Sequence, residues 1–231
     1  MTTAPRRIPT LAESLASVAA AGWSSLRLFA EPGSLIPKEW SHLPVSWRDQ
    51  VLGAYPNWLM GLQELYLRQP HADAYLMFQD DLLMAADTRR YLEYALWPNP
   101  EAGIVSLYCP SHHGNAADAG FHRLDPGWGA WGALAYVFTP ESLLGLLSDY
   151  RVQCHRRYGR ANGLKNIDSV AGEWCLRTGR PYYVHVPSLL QHTGSASTLY
   201  TRANASGRRR ANDPLSQAPQ FTGTHQIVAE R

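Results

Sequence analysis

A chain of 231 residues, 45% of them hydrophobic and 17% charged, carries enough apolar side chain for a sizeable core, which excludes global disorder. Its formal net charge of +2 is too small to argue for nucleic acid by itself. Three distant cysteines, Cys109, Cys154 and Cys175, make neither a disulfide framework nor a metal spacing and fit a reducing, cytoplasmic location; no apolar run suits a membrane span, and MTTAPRR lacks a signal-peptide core.

Met1–Pro5 reads as the end of a first strand entering a loop. In PTLAESLASVAAAGW, Thr10 and Glu13 have capping-box spacing and Leu11, Leu15 and Val18 share one face, so a helix is predicted, with Gly22 as its stop. Ser24–Ala30 predicts a second strand, ended by Glu31-Pro32-Gly33. Ser34–Pro56, interrupted by Pro37 and Pro44, reads as loop with room for one short strand. Asn57 is the expected cap of a helix over Trp58–Arg68, with Leu59, Leu62, Leu65 and Tyr66 as its buried stripe.

The next stretch, AYLMFQDDLLMA, organises the chain. Tyr75–Phe78 predicts a strand buried on both faces, and Gln79-Asp80-Asp81 ends it abruptly. Adjacent carboxylates there are costly unless charge or hydrogen bonds compensate them. The carboxyl end of a strand in an open α/β sheet is where ligands bind, so a divalent cation carrying a phosphorylated ligand accounts for the pair. The plainer alternative is a solvated loop or helix N-terminus.

Thr88–Trp97 predicts a short helix and Gly103–Leu107 a buried strand. Cys109–Trp128 has no apolar period and reads as a mobile loop at a site or as a surface excursion; His112-His113 within it carry no metal reading. Gly127, Gly129 and Gly132 precede a strand at Leu134–Phe138 and serve either close approach to a ligand or tight packing. Thr139-Pro140 opens a helix running to about Tyr150. A basic stretch, Arg151–Lys165, leads to a helix from Asn166-Ile167-Asp168 through Arg177, in which Asp168 can be the cap. Tyr182–Val186 is the last strand. Alternating strands and helices predict one α/β domain over residues 1–194, with a largely parallel sheet and helices on both faces. Residues 195–231, with Arg202 and Arg208–Arg210, are expected to be a tail that is loop or partly disordered, its arginines either solvated or able to clamp phosphates.

An acidic pair ending a central strand, an Asp opening a late helix and a His after the last strand can meet at one edge of such a sheet. With these in place the sequence resembles the GT-A glycosyltransferases, nucleotide-sugar-dependent enzymes of the family-two type with a Rossmann-like fold. The residues that carry the resemblance are TTAPRRIPTLAESLASVAAAGW at the first strand end and helix, FQDD as the acidic metal motif, GALAYVFTPESL beyond it, IDSVAGEWCLRTGRPYYVHVP around the late helix and strand, and QHTG after them. They cover roughly residues 2–194.

The resemblance implies that Asp81 binds a divalent metal directly and that Asp80 binds ribose or a metal-bound water. It makes His192 a second protein ligand and Asp168 the catalytic base of an inverting transfer, and it places Pro5 and Arg6 by the base and ribose of a UDP-sugar donor. An imidazole ligand tilts the metal towards Mn²⁺ over Mg²⁺. The chain departs from the family at Gln79, where an acid is usual, and at Ile167, where a Glu commonly precedes the base; Glu173 is the reserve base.

In size the chain also resembles the TET-associated glycosyltransferases of phage DNA modification, which glycosylate the hydroxymethyl group of a modified pyrimidine. That reading expects Arg151, His155, Arg156, Arg157, Arg160 and the tail arginines to meet DNA phosphates. It also expects some of the eight Trp and twelve Tyr to stack a flipped base. A polysaccharide or glycolipid acceptor is the alternative, and a non-catalytic nucleotide-sugar or nucleic-acid binding module is the alternative of another class.

Overall fold

In a computed structural model of the chain, residues 1–110, 119–125, 130, 132–155 and 166–193 are described. Strands β1 (Thr2–Thr3), β2 (Leu28–Ala30) and β3 (Val45–Trp47) form a parallel sheet in the order β1-β2-β3. A five-stranded sheet of β4 (Tyr75–Phe78), β6 (Ile104–Ser106), β7 (Gly120–Leu124), β8 (Ala135–Phe138) and β9 (Tyr182–Val186) has the order β4-β8-β6-β9-β7. A parallel bridge between Thr2 and Gln79 sets the end of β4 beside β1, so the two sheets run on into one another. Outside them, β5 (Leu82–Met84) pairs antiparallel with β10 (Leu190–His192).

The class is mixed α/β. The parallel pairing expected of the whole sheet holds in the three-stranded part. In the five-stranded part β8 runs antiparallel to β4 and β6, β7 runs antiparallel to β9, and β6 and β9 are parallel. Apolar patterning is the same for either direction of a strand buried on both faces, so the sequence could not reveal this reversal.

Helices cover both faces, and the strands feed two cores by their period of two. Tyr75, Met77, Tyr136, Phe138, Tyr182 and Val184 point to one face. There they meet Trp58 and Leu62 of α2 (Ala54–Arg68), Leu143 and Leu146 of α4 (Pro140–Leu147), and Trp174 of α6 (Ile167–Thr178). Phe78, Val105, Ala135 and Val137 point the other way, to Leu11, Leu15 and Val18 of α1 (Leu11–Ala20) and Leu92 of α3 (Thr88–Ala95). Each fully buried aliphatic residue of such a stripe stabilises the fold by about 1.5–3 kcal/mol. A short α5 (Tyr150–Gln153) follows α4, capped by the Asp149 carboxylate.

Several local expectations are corrected. Thr10 precedes α1, but its side chain makes no cap hydrogen bond, and its buried hydroxyl has no partner among the described residues. The helix is held by its apolar stripe instead. Helix α2 begins at Ala54, three residues before the expected Asn57 cap, with Pro56 in its first turn, where the missing N–H is harmless. Asn57 is instead a buried tie: its Nδ2 donates to Phe29 O at 2.9 Å and its Oδ1 accepts from Arg48 Nε at 2.8 Å. Cys109–Trp128 is not all loop, since Gly120–Leu124 forms the edge strand β7 along β9; an edge strand half open to solvent has no continuous apolar run to announce it. His112, His113, Gly127 and Gly129 lie outside the described residues. At Gly132 tight packing decides, because a Cβ there would overlap Ser106 Oγ and the Tyr182 hydroxyl.

All three cysteines are free. Burial pushes the Cys109 thiol up to about 11 and the Cys175 thiol higher still, whereas Cys154 is only half-buried. Iodoacetamide at pH 8 is therefore expected to alkylate Cys154 in the folded protein and to spare the other two until it unfolds. Equal labelling of all three, read by peptide mass spectrometry, would contradict the packing described.

Candidate functional site

The strand order reverses between β1 and β4. From β1 the chain winds outward through β2 to β3, then α2 carries it back to β4 on the other side of β1. Ligands of open α/β sheets bind at such a reversal, beyond the carboxyl ends of the strands. Arg6 follows β1 there, and Asp80-Asp81 follow β4.

The turn at Asp80-Asp81 is fixed from three sides. Ser14 and Ser17 lie three residues apart on α1 and so share a face. The Ser14 hydroxyl donates to Asp80 O at 2.9 Å and accepts from Leu82 N at 3.0 Å, while Ser17 Oγ accepts from Met84 N at 3.2 Å. Gln79 secures the side towards β8: its backbone N–H donates to Leu134 O and its Nε2 to Ala133 O, both at 3.0 Å. A carboxylate at position 79 would face that carbonyl with no hydrogen to offer, which accounts for an amide here. On the third side His192 of β10 pairs with Leu82 of β5, and Thr193 N donates to Asp81 O at 2.9 Å.

Both carboxylates are buried, Asp80 to 3% and Asp81 to 5% exposure. Asp80 Oδ2 accepts from the Thr3 hydroxyl at 2.6 Å, and its Oδ1 from Arg6 Nε at 2.9 Å and from Arg6 Nη2. Asp81 Oδ2 lies 3.1 Å from Arg6 Nη1 and 3.2 Å from His192 Nε2. Burial alone would raise the Asp81 carboxyl; the hydrogen bond and charge of His192, then the Arg6 guanidinium, more than offset it and hold the group below its ordinary value. Asp81 Oδ1 is buried with no hydrogen-bond partner among the described residues. Arg6 thus places a single fixed positive charge against both carboxylates.

Asp168 lies in the first turn of α6 but is not its cap. Asn166 is, its Oδ1 accepting from Ser169 N at 2.9 Å. The Asp168 carboxylate, half-buried, is turned to β8 instead, where Oδ1 accepts from Ala133 N at 2.7 Å and from the Tyr136 hydroxyl at 3.2 Å. Tyr136 is buried beside Tyr182, whose hydroxyl donates to Ala130 O at 2.9 Å. One residue, Ala133, thus joins the two acidic groups, its carbonyl held by Gln79 and its N–H by Asp168.

Arg6, Asp80, Asp81 and His192 therefore meet, with Asp168 one residue-bridge away. Pro5 is exposed beside Arg6 and near Gly33. Glu173, further along α6, has no part in this network. Ile167 is a core residue. Sequence reading missed Thr3, Ser14, Ser17 and Tyr136; the paired serines at the edge of the α1 stripe were the only visible signal. Of the residues expected at DNA, Arg151 is exposed on α5, while His155 is buried with its ring 4.1 Å from that of Tyr55, which corrects its placement on a phosphate-facing surface. Arg156, Arg157, Arg160 and the tail, with Arg202 and Arg208–Arg210, lie outside the described residues. Trp58, Trp174, Tyr136 and Tyr182 are core side chains, so much of the aromatic excess is packing.

Among the described residues no three His, Cys, Asp or Glu side chains are arranged to hold a metal. Asp81, with its unpartnered oxygen, and His192 offer one oxygen and one nitrogen donor. Such a pair fits a divalent cation whose remaining positions are filled by phosphate oxygens and water. A separate concavity of about 900 Å³, lined by Trp23, Arg27, Leu43, Arg68 and Tyr75 among others, opens at the amino ends of β1–β4, away from the acidic pair.

No family model and no curated protein sequence matches the chain. No helix among the described residues is long and apolar enough to cross a membrane.

Proposed function

We propose that the protein is a metal-dependent, inverting glycosyltransferase of the GT-A type, which moves a sugar from a UDP-sugar to an acceptor hydroxyl. The observation that carries this reading is the position of Asp80-Asp81, Arg6 and His192 at the strand-order reversal, joined through Ala133 to Asp168. Asp81 and His192 are the residues to hold a divalent cation, Mn²⁺ or Mg²⁺. Bound there, the cation neutralises the charge developing on the leaving diphosphate. The two adjacent buried carboxylates support this, because a diphosphate brought against them without a cation would be repelled.

Asp168 is the base. An acceptor hydroxyl barely ionises at neutral pH, so a carboxylate takes its proton as the glycosidic bond forms. The Ala133 N–H and Tyr136 O–H fix the orientation of that carboxylate. A reducing, cytoplasmic location is part of this reading and rests on the three scattered cysteines of the sequence.

For the acceptor, the resemblance supports the hydroxymethyl group of a modified pyrimidine in DNA. The test is a transfer assay with Mn²⁺, a panel of UDP-sugars and DNA containing hydroxymethylcytosine, beside unmodified DNA, read by nucleoside mass spectrometry. A hexose mass on the modified nucleoside alone is the expected result. UDP release without labelled DNA moves the acceptor to a glycan or glycolipid, and no UDP release from any donor overturns the enzyme reading in favour of a binding module.

A further inference from the structure

Asp80 and Asp81 are neighbours in sequence but differently employed. Both oxygens of Asp80 are taken, one by Thr3 and one by two nitrogens of Arg6. Asp81 has one oxygen engaged, shared by Arg6 Nη1 and His192 Nε2, and one without a partner among the described residues. Asp80 is thus the anchor of Arg6, and Asp81 the carboxylate with an oxygen left over for another cation. The guanidinium, however, already holds Asp81 Oδ2 beside His192 Nε2, and two cations on one carboxylate repel each other.

We infer that Arg6 is an internal competitor for the divalent cation at Asp81. The cation binds well only when Nη1 gives up Asp81, and a diphosphate gives it somewhere to go. Arg6 carries five N–H groups. Nε and Nη2 stay on Asp80, so the guanidinium pivots about that anchor and offers its released hydrogens to phosphate oxygens, a charge-assisted geometry that arginine favours. Metal and nucleotide affinities are then coupled through this one side chain, and coupling is reciprocal. The identity of the anion rests on the proposed function; the competition between Arg6 and the cation does not.

The test is a Mn²⁺ titration without nucleotide or turnover, following the electron paramagnetic resonance of free Mn²⁺. Arg6→Gln is expected to bind Mn²⁺ about tenfold more tightly than the unaltered protein, within the ordinary range of such couplings. Arg6→Lys, which keeps the charge, is expected to stay near the unaltered value. If Arg6→Gln alone does not fold, Arg6→Gln combined with Asp80→Asn leaves no unpaired buried carboxylate at position 80, keeps the local net charge and carries the same expectation. Mn²⁺ affinity in a folded variant equal to or weaker than that of the unaltered protein overturns the inference. In a second arm, UDP titrated without metal is expected to bind Arg6→Gln several-fold more weakly; equal binding overturns the transfer of Arg6 to the diphosphate. Tighter Mn²⁺ binding by the variants in a protein that releases UDP from no donor would refute sugar transfer and leave the competition standing.

Discussion

Asp81→Ala is expected to lower the proposed Mn²⁺-dependent UDP release from a UDP-sugar by about 10³-fold, the few kcal/mol that a Lewis acid supplies to a leaving group. The prediction rests on Asp81 having the unpartnered buried oxygen of the pair. His192 would remain, but one imidazole does not hold a divalent cation against water. Adding more Mn²⁺ recovers little, because the lost donor is the anionic one. Stability is the control. Asp81 is held below its ordinary carboxyl value of 3.8 in the folded chain, by His192 and Arg6 acting against burial. A depressed carboxylate contributes stability that is fully present above its unfolded value and is lost as pH falls through the folded one. The variant is therefore less stable than the unaltered protein at pH 7, and the gap narrows as melts are repeated in acid below about pH 4. Unchanged UDP release in a folded Asp81→Ala protein would remove Asp81 from the donor site.

The second large effect separates binding from chemistry. Asp168→Asn keeps Oδ1, which accepts from Ala133 N and the Tyr136 hydroxyl, so the side chain stays in place. It cannot take a proton from the acceptor. Transfer is expected to fall by about 10²–10⁴-fold, the usual contribution of a general base, with UDP and Mn²⁺ binding unaltered. A variant that transfers within a few-fold of the unaltered rate would exclude Asp168 as the base and bring Glu173, half-buried further along α6, into consideration. Loss of donor binding together with transfer would instead mark Asp168 as part of the nucleotide pocket.

What could be read from the sequence followed from periodicity. Leu11, Leu15 and Val18 marked α1, and Tyr75–Phe78 marked a strand buried on both faces. The acidic pair stood out because two carboxylates inside an apolar stretch need an explanation. Strand direction left no trace, since β8 buries the same residues running either way. The edge strand β7 escaped because its partner β9 lies some sixty residues away and its outer edge needs no apolar run. Caps misled for a related reason: Thr10 and Asn57 have the right chemistry for helix ends, but one makes no such bond and tertiary contacts with Phe29 and Arg48 claim the other. In the site, Asp80 and Asp81 were legible as a costly pair, Asp168 and His192 by their places at a late helix and after the last strand, and Arg6 only through the family resemblance. The residues that position them, Thr3, Ser14, Ser17, Gln79 and Tyr136, act through single hydrogen bonds between segments distant in sequence, which no local pattern encodes.

Anomalous diffraction from crystals grown with Mn²⁺ and UDP locates the donor site without reference to any acceptor. A manganese peak within coordination distance of Asp81 and His192, with the diphosphate on its far side and the uridine alongside the loop that follows β1, is the result predicted. Nucleotide bound in the concavity at the amino ends of β1–β4, or manganese at any other carboxylate, would contradict the assignment of this corner as the donor site.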